Sequence, residues 1–173
     1  ESRALRRDSC GAGRYRGGLG LDMKVRNLVE GKWNFERTRR SKCPPWGIAG
    51  GAAGEPGGNL LKLPGEKAFK WITGANIPVP LNSLAIVRTG GGGGWGDPLE
   101  RDAALVAADA AEGLISRRAA HELYGVVLRS SMSLDEGATQ RLRDRLRSRR
   151  KVRPAKRAKQ QKRPSLTKGR KRR

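Results

Sequence analysis

Residues 90–94 are five consecutive glycines, namely Gly90, Gly91, Gly92, Gly93 and Gly94. The largely apolar residues 84–89 predict a strand before them. After them, Asp97 predicts a helix N-cap and Pro98 the first helical position. A strand that leads into a helix through glycines presents backbone N–H groups at the helix N-terminus, where a phosphate or an oxyanion can bind. The same glycines also permit positive φ and close approach of other backbones, so a tight connection is the favoured alternative.

The glycine run does not match the two common phosphate-binding motifs. It has no Gly-Lys-Ser/Thr ending, which excludes a Walker loop. No GxGxxG precedes an acidic residue at the spacing of a dinucleotide-binding fold. Any anion held here would therefore be bound by backbone donors alone.

Five side chains are further candidates for a phosphate or substrate loop. Trp46 and Trp95, each set among glycines, predict either the lining of a substrate channel or subunit interface, or anchors that hold a loop to the core. The anchor interpretation is favoured. Asp97 is a possible carboxylate, although a capping role is favoured. Arg14 and Arg16 predict contacts with a phosphate or carboxylate, or with surface acids, and the sequence does not rank these alternatives.

The sequence identifies no catalytic residue and no metal ligand set. Cys10, Cys43 and His121 are too few for a Cys₄ or Cys₂His₂ zinc site. His121 has no carboxylate or nucleophile beside it, so a packing or surface role is favoured. A disulfide between the cysteines is conceivable. No signal peptide or membrane span is apparent, and we expect a cytoplasmic protein with reduced thiols and no membrane partner.

The net charge of +22 is concentrated at the end of the chain. Residues 141–173 contain 18 of the 38 Lys and Arg residues and a single acid. Such a segment cannot form a core, and we predict that residues 147–173 are a disordered tail. It is expected either to bind polyanions such as nucleic acids non-specifically or to be a solvated extension, and the second is favoured.

Residues 1–146 predict an α+β domain. We expect a twisted, mostly antiparallel β-sheet from residues 19–89, followed by two or three short helices. Alternating apolar residues predict a strand at 19–25 with a second strand at 33–37 antiparallel to it. Residues 1–18 are expected to be irregular, and glycine and proline predict a long loop at 43–59. Further strands are predicted at 60–63, 68–72, 77–80 and 84–89, and helices at 98–112, at 116–124 and from Ser133.

Four sequence blocks resemble the C-terminal part of the hydantoinase B/oxoprolinase family. They are GAGRYRGGLGL (residues 11–21), PPWGIAGGAAGEPGGNLL (44–61), GGGGGWGDPLERD (90–102) and AEGLISRRAAHELYGVVL (111–128). Their order and spacing carry the resemblance, which covers about residues 6–146. The chain departs from the family pattern at Cys10, where relatives usually have glycine. Family members are also several times longer, and the region that binds a metal in them lies upstream of these blocks.

The resemblance implies a function as part of a larger enzyme. It implies the B subunit of an ATP-dependent cyclic-amide hydrolase of the hydantoinase or 5-oxoprolinase type. The expected partners are an A-type ATP-binding subunit and the missing upstream part of the B subunit. ATP and a divalent metal are expected in the complete enzyme, and neither cofactor is expected to bind this fragment, which is predicted to be inactive alone. The alternatives are a subunit of an acetone-type carboxylase and a basic nucleic-acid-binding module that acts through its tail.

Overall fold

The computed structural model describes residues 1–35 and 43–152. In this part of the chain, strands precede helices. The strands are β1 (Ser2–Leu5), β2 (Leu21–Arg26), β3 (Gly31–Phe35), β4 (Gly58–Lys62), β5 (Lys70–Ile72), β6 (Gly74–Val79) and β7 (Leu84–Arg88). A 3₁₀ turn (Pro98–Glu100) and the helices α1 (Ala103–Ala111), α2 (Arg117–Tyr124) and α3 (Glu136–Val152) follow. The predicted α+β class, with mostly antiparallel sheet followed by three helices, is confirmed.

Strand β7 lies at the centre of a five-stranded antiparallel sheet with the order β1-β2-β7-β4-β5. Val25 of β2 and Leu61 of β4 are both register partners of Ala85 in β7. These three apolar side chains lie on one face, where they contact a core cluster that includes Phe35 and Val79. The predicted strand at 84–89 therefore forms the middle of the sheet, which explains its apolar composition.

A separate two-stranded sheet pairs β3 with β6 and packs over the five-stranded sheet. The prediction that the strand at 33–37 pairs with the strand at 19–25 is wrong. Both edges of β2 are already occupied, by β1 and by β7. The expectation of an irregular segment at residues 1–18 is also wrong at Ser2–Leu5. All four residues of this edge strand are exposed, so it has no buried face to give an alternating pattern. Residues 36 and 37 of the predicted strand lie outside the described residues.

Three glycine-rich segments, residues 9–18, 45–57 and 90–96, form a bundle of hydrogen-bonded backbones next to the sheet. The first and second are joined from Ala52 N–H to Ala12 O at 2.7 Å. The first and third are joined from Gly11 N–H to Gly92 O at 2.8 Å, and the second and third from Gly94 N–H to Ala52 O at 2.9 Å. Each segment thus bonds to both others. We call this arrangement the glycine bundle.

Glycine is required in the bundle because the backbones touch where side chains would stand. A Cβ atom at Gly91 would lie 1.7 Å from Ser9 O, and one at Gly93 would lie 2.0 Å from Trp46 O. A Cβ at Gly94 would lie 2.2 Å from Ala12 O. None of the glycines at 90–94 has a positive φ. The predicted close backbone approach is therefore confirmed, whereas the positive φ that glycine permits is not used at these positions.

The helices pack into a second core, whose buried residues include Val106, Ile115, Tyr124 and Val126. The predicted single helix at 98–112 is interrupted. Asp97 caps the 3₁₀ turn, and Asp102 then caps α1 by accepting a hydrogen bond from Ala104 N–H at 2.8 Å. Two caps in succession divide the segment because the backbone of each N-cap residue is not helical.

The ends of α2 follow the sequence signals closely. Ser116 accepts a hydrogen bond from Ala119 N–H at 3.0 Å, and Gly125 adopts the left-handed conformation that ends the helix.

Helix α3 starts two residues later than a Ser133 cap predicts, since Asp135 accepts the bond from Ala138 N–H at 2.9 Å. It continues to Val152, and residues 153–173 of the predicted tail lie outside the described part. No helix among the described residues has the length and apolarity to cross a bilayer.

We predict that Gly91→Ala destabilises the protein by at least about 3 kcal/mol, because the added methyl group overlaps the backbone at Ser9 and neither stretch of backbone can yield without losing hydrogen bonds. Urea unfolding monitored by tryptophan fluorescence measures the change. Gly18→Ala is the matched control, since a Cβ there meets no atom within 4 Å. Equal unfolding midpoints for the two variants would refute the steric explanation.

Candidate functional site

Three backbone N–H groups of the predicted anion-binding loop, residues 90–94, donate hydrogen bonds to carbonyl oxygens of the same chain. Gly91 N–H donates to Glu55 O at 2.9 Å, and Gly92 N–H donates to Gly18 O at 2.8 Å. Gly94 N–H is likewise bonded within the bundle. An anion at these three donors would have to displace existing hydrogen bonds. The phosphate-binding role of residues 90–94 therefore stays a prediction.

Asp97 has the favoured capping role. Its Oδ1 atom accepts a hydrogen bond from Leu99 N–H at 2.9 Å at the start of the 3₁₀ turn. Pro98 follows at the first position of that turn, as predicted. The carboxylate thus stabilises the 3₁₀ turn that connects the glycine bundle to the helices.

Arg16 pairs with an acid of this chain, one of the alternatives that the sequence left open, in a partly buried ion cluster rather than at the surface. Its Nε and Nη2 atoms donate to the two carboxylate oxygens of Asp109 at 2.9 and 3.0 Å. Arg101 donates from Nη2 to Asp109 Oδ2 at 2.9 Å. We call these three residues the Asp109 cluster. The hydrogen bond to Asp109 raises the pKa of Arg16, so its positive charge persists over the whole practical pH range. The cluster ties the glycine bundle to α1.

The surroundings of the Asp109 cluster are strongly desolvated. Burial raises the pKa of the Tyr124 hydroxyl far above its usual value and also raises the pKa of the Cys10 thiol. Within the described residues, the Tyr124 hydroxyl and Arg101 Nε are buried without a hydrogen-bond partner. Low water access strengthens each ionic hydrogen bond to Asp109 and makes the loss of one costly.

The sequence did contain a signal for the Asp109 cluster. Helix α1 has the sequence AALVAADAA, in which Asp109 is an acid next to the buried positions Val106 and Ala110. A buried acid requires a charged or hydrogen-bonding partner. The pattern indicates that Asp109 has such a partner but does not identify Arg16, which is 93 residues away along the chain.

Arg14, the other candidate arginine, lies at the surface. Its Nη1 atom is 3.9 Å from Glu100 Oε2, and its guanidinium carbon is 5.8 Å from the centroid of the Tyr15 ring. The two arginines of the GRYRGG block therefore have different environments. Arg16 stabilises the fold through its ion pair with Asp109, whereas the Arg14 side chain is accessible to a partner.

The candidate tryptophans are exposed. The Trp46 side chain is 77% exposed, so the interpretation that it anchors its loop in the core is wrong. Backbone contacts hold this segment instead, as the approach of Gly93 to Trp46 O indicates. Trp95 is also exposed, with its ring centroid 5.7 Å from that of Tyr15. Because these rings lie at the surface, they are available as contact residues for a partner.

The remaining candidates do not assemble a site. His121 is exposed on α2, in agreement with the favoured surface role. Cys10 is buried, Cys43 is exposed, and both are free thiols, so no disulfide joins them. Across residues 1–35 and 43–152, no three His, Cys, Asp or Glu side chains are grouped so as to hold a metal ion. The described residues therefore do not provide the donor set of a divalent metal.

The chain matches one protein family and resembles several curated proteins. The sequence model of the hydantoinase B/oxoprolinase family matches residues 1–98. The chain is 34% identical to the beta subunit of caprolactamase from Pseudomonas jessenii over 146 residues, which cover 79% of this chain. It is 30% identical over 148 residues, or 80% of the chain, to the B subunit of a putative D-/L-hydantoinase from Pseudomonas sp. (strain NS671).

Two solved structures share its fold. The crystal structure of the ATP-dependent caprolactamase from Pseudomonas jessenii aligns with a TM-score of 0.64 and 30% identity over 83% of this chain. A nucleotide-free acetone carboxylase aligns with a TM-score of 0.65 over 89% of the chain, at 24% identity, which shows similarity of fold only. The match covers 24% of the length of each of the two curated relatives and 26% and 25% of the two solved chains. The chain thus spans about a quarter of the relatives that it matches.

We predict that Asp109→Asn destabilises the protein by about 3 kcal/mol, because it leaves the charges of Arg16 and Arg101 without a counter-ion in a buried site. Equilibrium urea unfolding measures this loss. Asp144→Asn is the control, since Asp144 is exposed and accepts a hydrogen bond from Gln140 at 3.0 Å, and its effect should stay within about 0.5 kcal/mol. A wild-type unfolding midpoint for Asp109→Asn would show that the cluster is not stabilising.

Proposed function

This chain belongs to the hydantoinase B/oxoprolinase family, and we propose that it forms the C-terminal part of the B subunit of an ATP-dependent cyclic-amide hydrolase. The observation that supports this most is the similarity to the beta subunit of caprolactamase, at 34% identity over 79% of the chain. The B subunit of a hydantoinase matches to nearly the same extent. Both names describe subunits of enzymes that act on cyclic amides.

The proposed reaction opens an amide ring at the expense of ATP. An amide is a weak electrophile because its nitrogen donates electron density to the carbonyl group. Transfer of a phosphoryl group from ATP to the amide oxygen, with release of ADP, gives an activated carbon that water can attack. The ring C–N bond then breaks, and phosphate is released. We assign the phosphoryl transfer to an A-type partner subunit, and the sites for ATP and a divalent metal to the complete enzyme.

The proposed contribution of this chain is structural. The candidate loop residues lie in the glycine bundle or beside it, and the described side chains do not provide a metal donor set. A bundle held by backbone hydrogen bonds gives a fixed surface against which the rest of a subunit can be placed. We therefore propose that the chain is inactive alone and acts within a heteromeric enzyme.

Two alternatives have less support. The acetone carboxylase resemblance, at 24% identity, concerns the fold, whereas the caprolactamase resemblance extends to both sequence and fold. A carboxylase subunit is therefore the second choice. Non-specific binding of polyanions stays a prediction for residues 147–173. The described part of this tail, residues 147–152, is the end of α3. There, Arg147 donates from Nη2 to Leu99 O at 3.2 Å and so contributes to packing.

We predict that this chain can replace the quarter of the caprolactamase beta subunit that it matches, and that the resulting chimeric subunit is active. The chimeric subunit, co-expressed with the remaining caprolactamase subunit, should hydrolyse caprolactam in an ATP-dependent reaction, measured by ADP release and by product formation. The control is the same subunit with that quarter deleted. Activity no higher than in the deletion variant would contradict the proposed function.

The same assay on the chain alone tests its dependence on the rest of the enzyme. With ATP and Mg²⁺, we expect no hydrolysis of hydantoin, 5-oxoproline or caprolactam. Ring opening coupled to ADP release by the isolated chain would contradict the proposed structural role.

A further inference from the structure

Four large apolar side chains are exposed on the glycine bundle. They are Tyr15 (61% exposed), Trp46 (77%), Ile48 (57%) and Trp95 (48%). We call them the bundle patch. A group of exposed large apolar side chains, three of them aromatic, is unusual for a free protein surface and typical of an interface.

Backbone pairing brings these residues together from three distant parts of the chain. Tyr15 and Trp95 exchange N–H···O=C hydrogen bonds of 3.0 and 2.9 Å, and their ring centroids are 5.7 Å apart. Ile48 forms a parallel bridge to Trp95, with hydrogen bonds from Ile48 N–H to Gly94 O at 2.9 Å and from Gly96 N–H to Ile48 O at 3.0 Å. Trp46 stands two residues earlier on the same segment. The patch is therefore formed by the fold rather than by one loop.

The patch is also held in place before any partner arrives. The segments that carry it are joined to each other by backbone hydrogen bonds, and their glycines are in backbone contact. An interface loses affinity when loops must become ordered on binding, so a rigid platform favours association. Tryptophan, tyrosine and arginine are the residues that most often dominate binding energy at interfaces.

The charge beside the patch indicates the chemistry of the partner. Arg14 lies next to Tyr15, half-exposed, and its contact to Glu100 is a long surface pair at 3.9 Å. Such a pair contributes little and is easily exchanged for a better one. The surface that fits here is apolar, with an acidic group placed to reach Arg14.

We propose that the bundle patch binds the upstream part of a B-type subunit, a proposal that rests on the function proposed above. The match covers 24% to 26% of each of these relatives, so about three quarters of each has no counterpart here. All four patch residues fall within residues 1–98, the part that the family model matches. The occupant is therefore the rest of the subunit, rather than a second copy of this chain.

Hydroxyl-radical footprinting with mass spectrometry tests this proposal in the chimeric caprolactamase subunit. The oxidation rates of Tyr15, Trp46 and Trp95 are compared between the isolated chain and the chimera. We expect rapid oxidation in the isolated chain and a several-fold decrease in the chimera. Unchanged rates in the chimera would overturn the proposal. Protection that instead grows with the concentration of the isolated chain would identify a second copy as the occupant, and would also overturn it.

The two proposals can fail separately in this experiment. Caprolactam hydrolysis without protection of the patch supports the proposed function and refutes the docking surface. Protection without hydrolysis supports the docking surface and refutes the proposed function.

Matched serine variants test whether the patch drives assembly. Trp46→Ser should reduce the protection of Tyr15 and Trp95 in the chimera, because it removes an exposed ring from the proposed interface with the upstream part of the subunit. Trp71→Ser is the control, since Trp71 is similarly exposed but lies on β5, near Arg88 and outside the patch. Equal protection of Tyr15 and Trp95 in the two variants would show that Trp46 does not contribute to docking.

Discussion

Backbone-to-backbone hydrogen bonding between three glycine-rich segments is the interaction on which this fold depends. Residues 9–18, 45–57 and 90–96 are each bonded to the other two, at N···O distances close to the optimum. Each such bond contributes about 0.5–1.5 kcal/mol net, but a buried donor left without a partner costs more. Glycine in these segments carries an entropic cost, which is offset because only glycine permits the contacts.

The glycine bundle connects the two layers of the structure. Strand β7, at the centre of the five-stranded sheet, runs directly into residues 90–96, and Asp97 then begins the 3₁₀ turn that leads to α1. Arg16 extends from the bundle to Asp109 on α1, where Arg101 completes the ion cluster. A displacement of the bundle would therefore affect the sheet through β7 and the helices through Asp109. This connectivity explains why the exposed patch is held rigidly although it is formed by residues without regular secondary structure.

The sequence predicted local features well because their signals are contained in a few neighbouring residues. Strand β7, the caps at Asp97 and Ser116, and the helix end at Gly125 all follow from short patterns. It did not predict features that depend on distant partners. The pairing of β3 depends on which edges of β2 are already occupied, and the role of Arg16 depends on an acid 93 residues away. Of the candidate site residues, Trp46 was misjudged, since exposure is decided by the packing of all three segments.

Native-state amide hydrogen exchange at Gly91, Gly92 and Gly94 tests the central claim most directly. These amides belong to a segment without helix or strand, where exchange would ordinarily be fast. Because each donates to a carbonyl of another segment, we expect protection comparable to that of Ala85 and Val87 in β7. Exchange at the rate of an unstructured peptide would contradict it, since the glycine bundle would then not be the element that holds the sheet and helices together.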